Sequence, residues 1–132
     1  MTGGAASTPL IPASWGEVID KLTILEIKRE RIADAAALAN VGRERDALEA
    51  VVASQLPVAD GIAALRDGLR ALNGQLWDVE DAIRECEHRR DFGESFIALA
   101  RSVYTLNDER ARLKRAINLA TASGLIEEKS YR

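Results

Sequence analysis

The spacing of apolar residues between Ile62 and Cys86 constrains this chain more than any other feature. Ile62, Leu65, Leu69, Leu72, Leu76, Val79, Ile83 and Cys86 follow one another at intervals that alternate between three and four. That alternation is the a/d seam of an α-helix packed along its whole length. Asp60 stands where a cap is expected, and the spacing predicts a helix over about 58–90, roughly 50 Å at 1.5 Å per residue. A rod with one apolar stripe is not stable alone, so the remaining chain has to cover it.

The flanking sequence supplies further helices. Ser14 and Glu17 form a capping box, and behind it Trp15, Val18, Leu22, Leu25, Arg29 and Ile32 keep the three–four alternation. The next stripe, Leu38, Val41, Arg45, Leu48 and Val52, is out of phase with the first. A slip of this kind needs a break, and Asp34 sits where it should fall, as a cap. Pro57 closes that segment. After the turn chemistry of DFGES, Phe96, Leu99, Val103, Leu106, Arg110, Leu113, Ile117 and Ala120 make an unbroken seam that Gly124 is expected to end in a left-handed conformation. The expectation is all-α: an antiparallel, coiled-coil-like bundle of three long rods, the first broken near Asp34. Residues 1–13, small, polar and proline-punctuated, read as a disordered arm, and residues 14–132 as one domain.

Composition narrows the function classes. The 132 residues are 47% hydrophobic, 30% charged and 5% aromatic, with net charge −3 and both signs interspersed. This suits amphipathic helices and leaves no basic footprint for nucleic acid. No apolar run reaches the roughly 18 residues of a membrane span, and the N-terminus lacks a secretory pattern. One cysteine and one histidine cannot make a disulfide or a zinc site. The expectation is a cytoplasmic protein without metal or cofactor, inserted in no membrane.

Three arginines on seam positions are the oddest feature: Arg29, Arg45 and Arg110. A buried guanidinium needs a partner, and hairpin register puts acids in reach: Glu85 for Arg29, Asp67 for Arg45, Asp78 for Arg110. Two readings follow. The arginines are ion pairs that fix register, or, with Asn107, they form an anion site inside the bundle. Asp78, Glu80 and Asp81 read as a solvated face, His88 as a charge at a helix end, and Cys86 as a seam residue. No phosphate loop, nucleophile elbow or metal-ligand spacing points to an enzyme. Ile24 and Ile27 lie away from the first seam, with Ile19 between, so that helix has a second apolar side to cover. The tail (Leu125, Ile126, Tyr131) or a second copy would cover it; a homodimer through Ile19, Ile24 and Ile27 is the expectation.

The phrases GEVIDKLTILEIKRERI, LNGQLWDVEDAIRE, FIALARSVYTLNDERARLKRAIN and EEKSY resemble a bacterial family of domains of unknown function, across nearly the whole chain. The resemblance implies a stand-alone protein or an appendage, with a link to surface polysaccharide and glycosyltransferase systems, and transfers no catalytic residue. It gives weight to Asp20, Lys21, Glu26, Trp77, Asp78, Asp81, Arg101, Tyr104, Asn107, Asp108, Glu109, Arg110 and Lys114. The chain is also similar, through Ile19-Asp20, to the opening of small helical chorismate mutases. Thr23 stands where their second aspartate belongs, and Arg29 and Arg31 are out of phase. The sequence thus points to a non-enzymatic helical module that binds an unidentified protein and itself. A sugar-phosphate or nucleotide-sugar binder is the alternative, and a chorismate-mutase-like enzyme the remote one.

Overall fold

The computed structural model describes residues 7–125 and 128. Among the described residues four helices form, and a side-chain cap opens the first two. Ser14 Oγ accepts from the Glu17 amide at 3.2 Å and opens α1 (Trp15–Arg31); Asp34 Oδ2 accepts from the Ala37 amide at 2.8 Å and opens α2 (Ala35–Gln55). These are the N-terminal side-chain acceptors that helix ends demand. α3 spans Ile62–Arg89 and α4 Glu94–Ala120. Among the described residues there is no strand, and no helix is long and apolar enough to cross a membrane. Residues 7–13 have no regular structure and are exposed.

The expected three rods are replaced by four helices. Ile32 and Asp34 are extended, and the chain reverses there instead of kinking. α2 folds back antiparallel along α1, with Lys21 Nζ 3.0 Å from Glu44. Two end residues also differ from expectation. Gly61, at φ 82°, precedes α3 in place of Asp60, and it needs the left-handed conformation that glycine adopts freely. Beyond α4 the left-handed residue is Ala122, at φ 52°, and not Gly124.

α1 is the hub. It packs against each of the other three helices, whereas α2 reaches backbone contact with α1 alone among the described residues. α1 runs parallel to α3, since Ile19 meets Leu69 and Arg31 meets Asp78. It runs antiparallel to α4, since Gly16 meets Asn118 and Asp20 meets Arg110. Being enclosed on three sides, it buries Ile19, Leu22, Thr23, Leu25 and Ile27 around its circumference. Ile19, Ile62, Leu69 and Ile117 form the core, with Trp15, Leu56, Leu65 and Leu113 packed on it. Burying each such side chain contributes roughly 1.5–3 kcal/mol.

α1 has 17 residues and α3 has 28, about 25 Å against about 42 Å. α1 ends level with Asp78, so α3 beyond Val79 and α4 up to Leu106 continue as a two-helix arm. Along the arm the seam residues Val79, Ile83, Cys86, Phe96, Leu99 and Val103 are only half-buried. Two helices cover one side of each other and leave the flanks to solvent.

α1 and α4 come close together at Gly16. A Cβ there would lie 2.5 Å from the Lys114 carbonyl oxygen and 2.8 Å from Asn118 Oδ1. Gly16→Ala should therefore cost about 1–3 kcal/mol, the usual range for overpacking. Gly42→Ala, where an added Cβ meets nothing within 4 Å, should be neutral or gain up to about 1 kcal/mol. Urea unfolding of both variants checks the pair; equal effects would contradict this packing.

Candidate functional site

Charged and amide side chains converge where α1, α3 and α4 meet. The Asp20 carboxylate, 3% exposed, receives Arg110 as a fork: Nε donates to Oδ1 at 2.9 Å and Nη2 to Oδ2 at 2.6 Å. Asn73 Nδ2 donates to Asp20 Oδ1 at 2.9 Å and to Thr23 Oγ1 at 3.0 Å, and Thr23 Oγ1 donates to the Asp20 carbonyl at 2.7 Å. The two-pronged geometry is the strong form of arginine–carboxylate pairing. One turn towards the α1 N-terminus, Lys114 pairs with Glu17. The Trp15 amide donates to Ser123 Oγ at 2.9 Å and the Gly16 amide to Asn118 Oδ1 at 2.7 Å. With Ser14 on the Glu17 amide, the first three amides of α1 are all answered by side chains.

A second network ties α1 to α2 and α3. Glu26, partly buried on α1, accepts from Arg66 at 2.5 Å and from Arg70 at 2.9 Å; Arg66 also reaches Glu49 of α2 at 3.3 Å, and Arg70 reaches Glu30. Burial works against the Arg66 charge, but Glu26 and Glu49 more than offset it and hold its pKa above the ordinary arginine value. On exposed α4, the Arg112 hydrogen bond lowers the pKa of Glu109.

Beside the first network lies a cleft of about 160 Å³ lined by Ile24, Ile27, Leu76, Trp77, Glu80, Asn107 and Arg110. Arg31 stacks over Trp77 at 5.8 Å and pairs with Asp78. Of the ligand and ion-pair residues expected from sequence, Asn107 and Arg110 meet here, beside Ile24 and Ile27, whereas Arg29, Arg45 and Asp78 do not line the cleft. Arg110 pairs with Asp20 and not Asp78, whose partner is Arg31. Arg29 is exposed on α1 and far from its expected buried role, while Glu85 is taken by Arg89. Arg45 reaches Asp46 at 3.4 Å and Glu49 at 3.9 Å on its own helix instead of Asp67, and its buried Nε has no hydrogen-bond partner among the described residues. Arg45 and Arg110 thus stand on different helices with different partners, and Arg29 is exposed.

Ile19, Ile24 and Ile27 do not form the open patch expected for self-association. Ile19 is in the core, Ile27 is 4% exposed, and Ile24 is half-buried in the cleft. The third helix of the bundle, α3, covers what a second copy of α1 was expected to cover. Of the tail, Leu125 is exposed, and Ile126 and Tyr131 lie outside the described residues. Asp20, Thr23, Asn73, Glu26, Arg66 and Arg70 are the residues that spacing alone missed as a set. Their signal was a polar residue beside the seam on each helix. Among the described residues no group of three or more His, Cys, Asp or Glu side chains could hold a metal ion.

The fold defines an all-α, four-helix domain whose central helix is fixed by buried polar pairs. The chain belongs to a family of unknown function, DUF6165, whose model matches residues 11–132. Neither a curated protein nor a solved structure matches the chain.

Removing one member of a buried pair strands the other. Asp20→Asn should cost about 2–4 kcal/mol, and with Arg110→Met the double-mutant cycle should show coupling above about 1 kcal/mol. Arg110→Met with Asp78→Asn should be additive within about 0.5 kcal/mol. Chemical unfolding of the five variants and wild type measures both cycles; coupling to Asp78 in place of Asp20 would refute the register described.

Proposed function

We propose that this protein is a non-enzymatic helical interaction module that engages a protein partner through the α3–α4 arm. The observation behind this reading is the surface of the arm. Between Ser95 and Asn107 the sequence SFIALARSVYTLN carries a single charge, Arg101. α3 packs along one side of this stretch, and Ile97 and Tyr104 stand 53% and 58% exposed, with Phe92 half-exposed at the tip. A helix apolar on two sides calls for cover on both. The polar network at Asp20 supports the division of labour, since its groups satisfy one another and hold the core from which the arm projects. The sequence resemblance makes proteins of surface-polysaccharide synthesis the first partner class to test.

The test is affinity purification from the native cell with wild type, Tyr104→Lys and, as a surface control on α2, Ser54→Lys. A partner recovered by wild type and the control, and reduced at least tenfold by Tyr104→Lys, is the expected result. Identical recovery with all three would reject the arm as the docking surface.

A further inference from the structure

The face of α4 turned away from α3 is built to match itself. Glu94, Ile97, Ala98 and Arg101 recur at three- and four-residue steps and so line one stripe two turns long. All four are exposed, and neither Glu94 nor Arg101 has an ion-pair or hydrogen-bond partner for its side chain among the described residues. Laid antiparallel on its own copy, with the two-fold axis between Ile97 and Ala98, the stripe sets Glu94 opposite Arg101 at both ends. In the middle the larger Ile97 meets the smaller Ala98. A parallel alignment would set like charge on like charge.

The same axis carries the arm tip to a fitting place. Phe92, held edge-on to Phe96 at 5.2 Å between ring centres, arrives level with Ser102–Tyr104 of the other copy. There an open hollow of about 560 Å³, reaching round to the α3 side of the helix, is lined by Gln75 of α3 and by Ala98, Arg101, Ser102, Tyr104 and Thr105 of α4. The overlap ends where α1 ends, so the two cores lie at opposite ends of the pair and do not collide.

We propose that this face of α4 pairs antiparallel with the same face of a second copy, giving a two-fold dimer closed by reciprocal Glu94–Arg101 ion pairs. The proposal rests on the interaction reading above and names the occupant of the arm. About 20 Å of paired helix plus the two tips buries on the order of 1,000 Å² in total, the low end for specific interfaces, where transient pairing is common.

Analytical ultracentrifugation across about 1–300 µM tests this. Wild type is expected to approach twice the 14.4 kDa chain mass at the upper concentrations. Arg101→Glu, which sets an acid against Glu94 at each end, should weaken dimerisation at least tenfold while circular dichroism stays helical. Arg101→Glu with Glu94→Lys should restore it, an outcome that a merely structural role for either residue would not produce. A wild-type monomer at 300 µM, an unaffected Arg101→Glu dimer, or a charge swap without rescue each overturns the proposal. A monomer whose arm still recovers a partner overturns the dimer and leaves the interaction reading standing; a monomer with arm-independent recovery removes both.

Discussion

A carboxylate cannot be taken out of water unless something in the protein replaces the water, and Asp20 sits almost fully enclosed in the middle of this fold. Its replacement solvent comes from two other helices: the Arg110 fork from α4 and the Asn73 amide from α3. Each bond fixes a level. Arg110 must stand beside Asp20, and Asn73 beside Asp20 and Thr23, so the sliding registers that apolar seams alone permit are removed. The contacts at Gly16, Asn118 and Ser123 then close the α1 N-terminus against the end of α4. Everything else arranges around a central helix whose position is set by polar geometry as much as by apolar packing.

The central helix is also short, and that has a consequence for function. α1 covers α3 and α4 only as far as Asp78, and α2 turns back along α1 without extending the cover. The chain thereby divides into a core whose polar groups pair with one another and an arm whose apolar flanks do not. Buried networks of this kind fix a structure more than they add to its stability, because desolvation offsets much of the attraction. The division locates rigidity in one half of the molecule and available surface in the other.

How much of this was legible in the sequence depended on the kind of question asked. Periodicity reports which faces of a helix are covered, so the helices and caps at Ser14 and Asp34 could be read directly. The identity of the cover is another matter. The two-sided apolarity of α1 fits an interface between copies as well as a helix enclosed by its own chain, and Ile19 and Ile27 turned out to be interior. The phase slip after Ile32 fits a kink as well as a reversal; the extended residues at Ile32 and Asp34 decide for reversal, which no spacing rule reveals. Pairing Arg110 with Asp78 assumed that α3 was its nearest acidic neighbour. The partner is on α1, 90 positions away in sequence, and only the spatial order of the helices brings it there. Arg29 and Arg45 were read as paired across the bundle because they occupy seam positions; Arg29 is exposed, and Arg45 is half-buried with acids of its own helix as partners.

The central claim is that α1 is the most enclosed element and α2 the most weakly held. Native-state hydrogen exchange with residue resolution measures this directly. The account predicts that amides from Leu22 to Ile27 exchange only through global unfolding, whereas α2, which packs on one helix and buries Val41 alone, opens at a free energy several kcal/mol lower. Protection in α2 equal to that of α1, or stronger protection in the distal half of α3 than in α1, would contradict it.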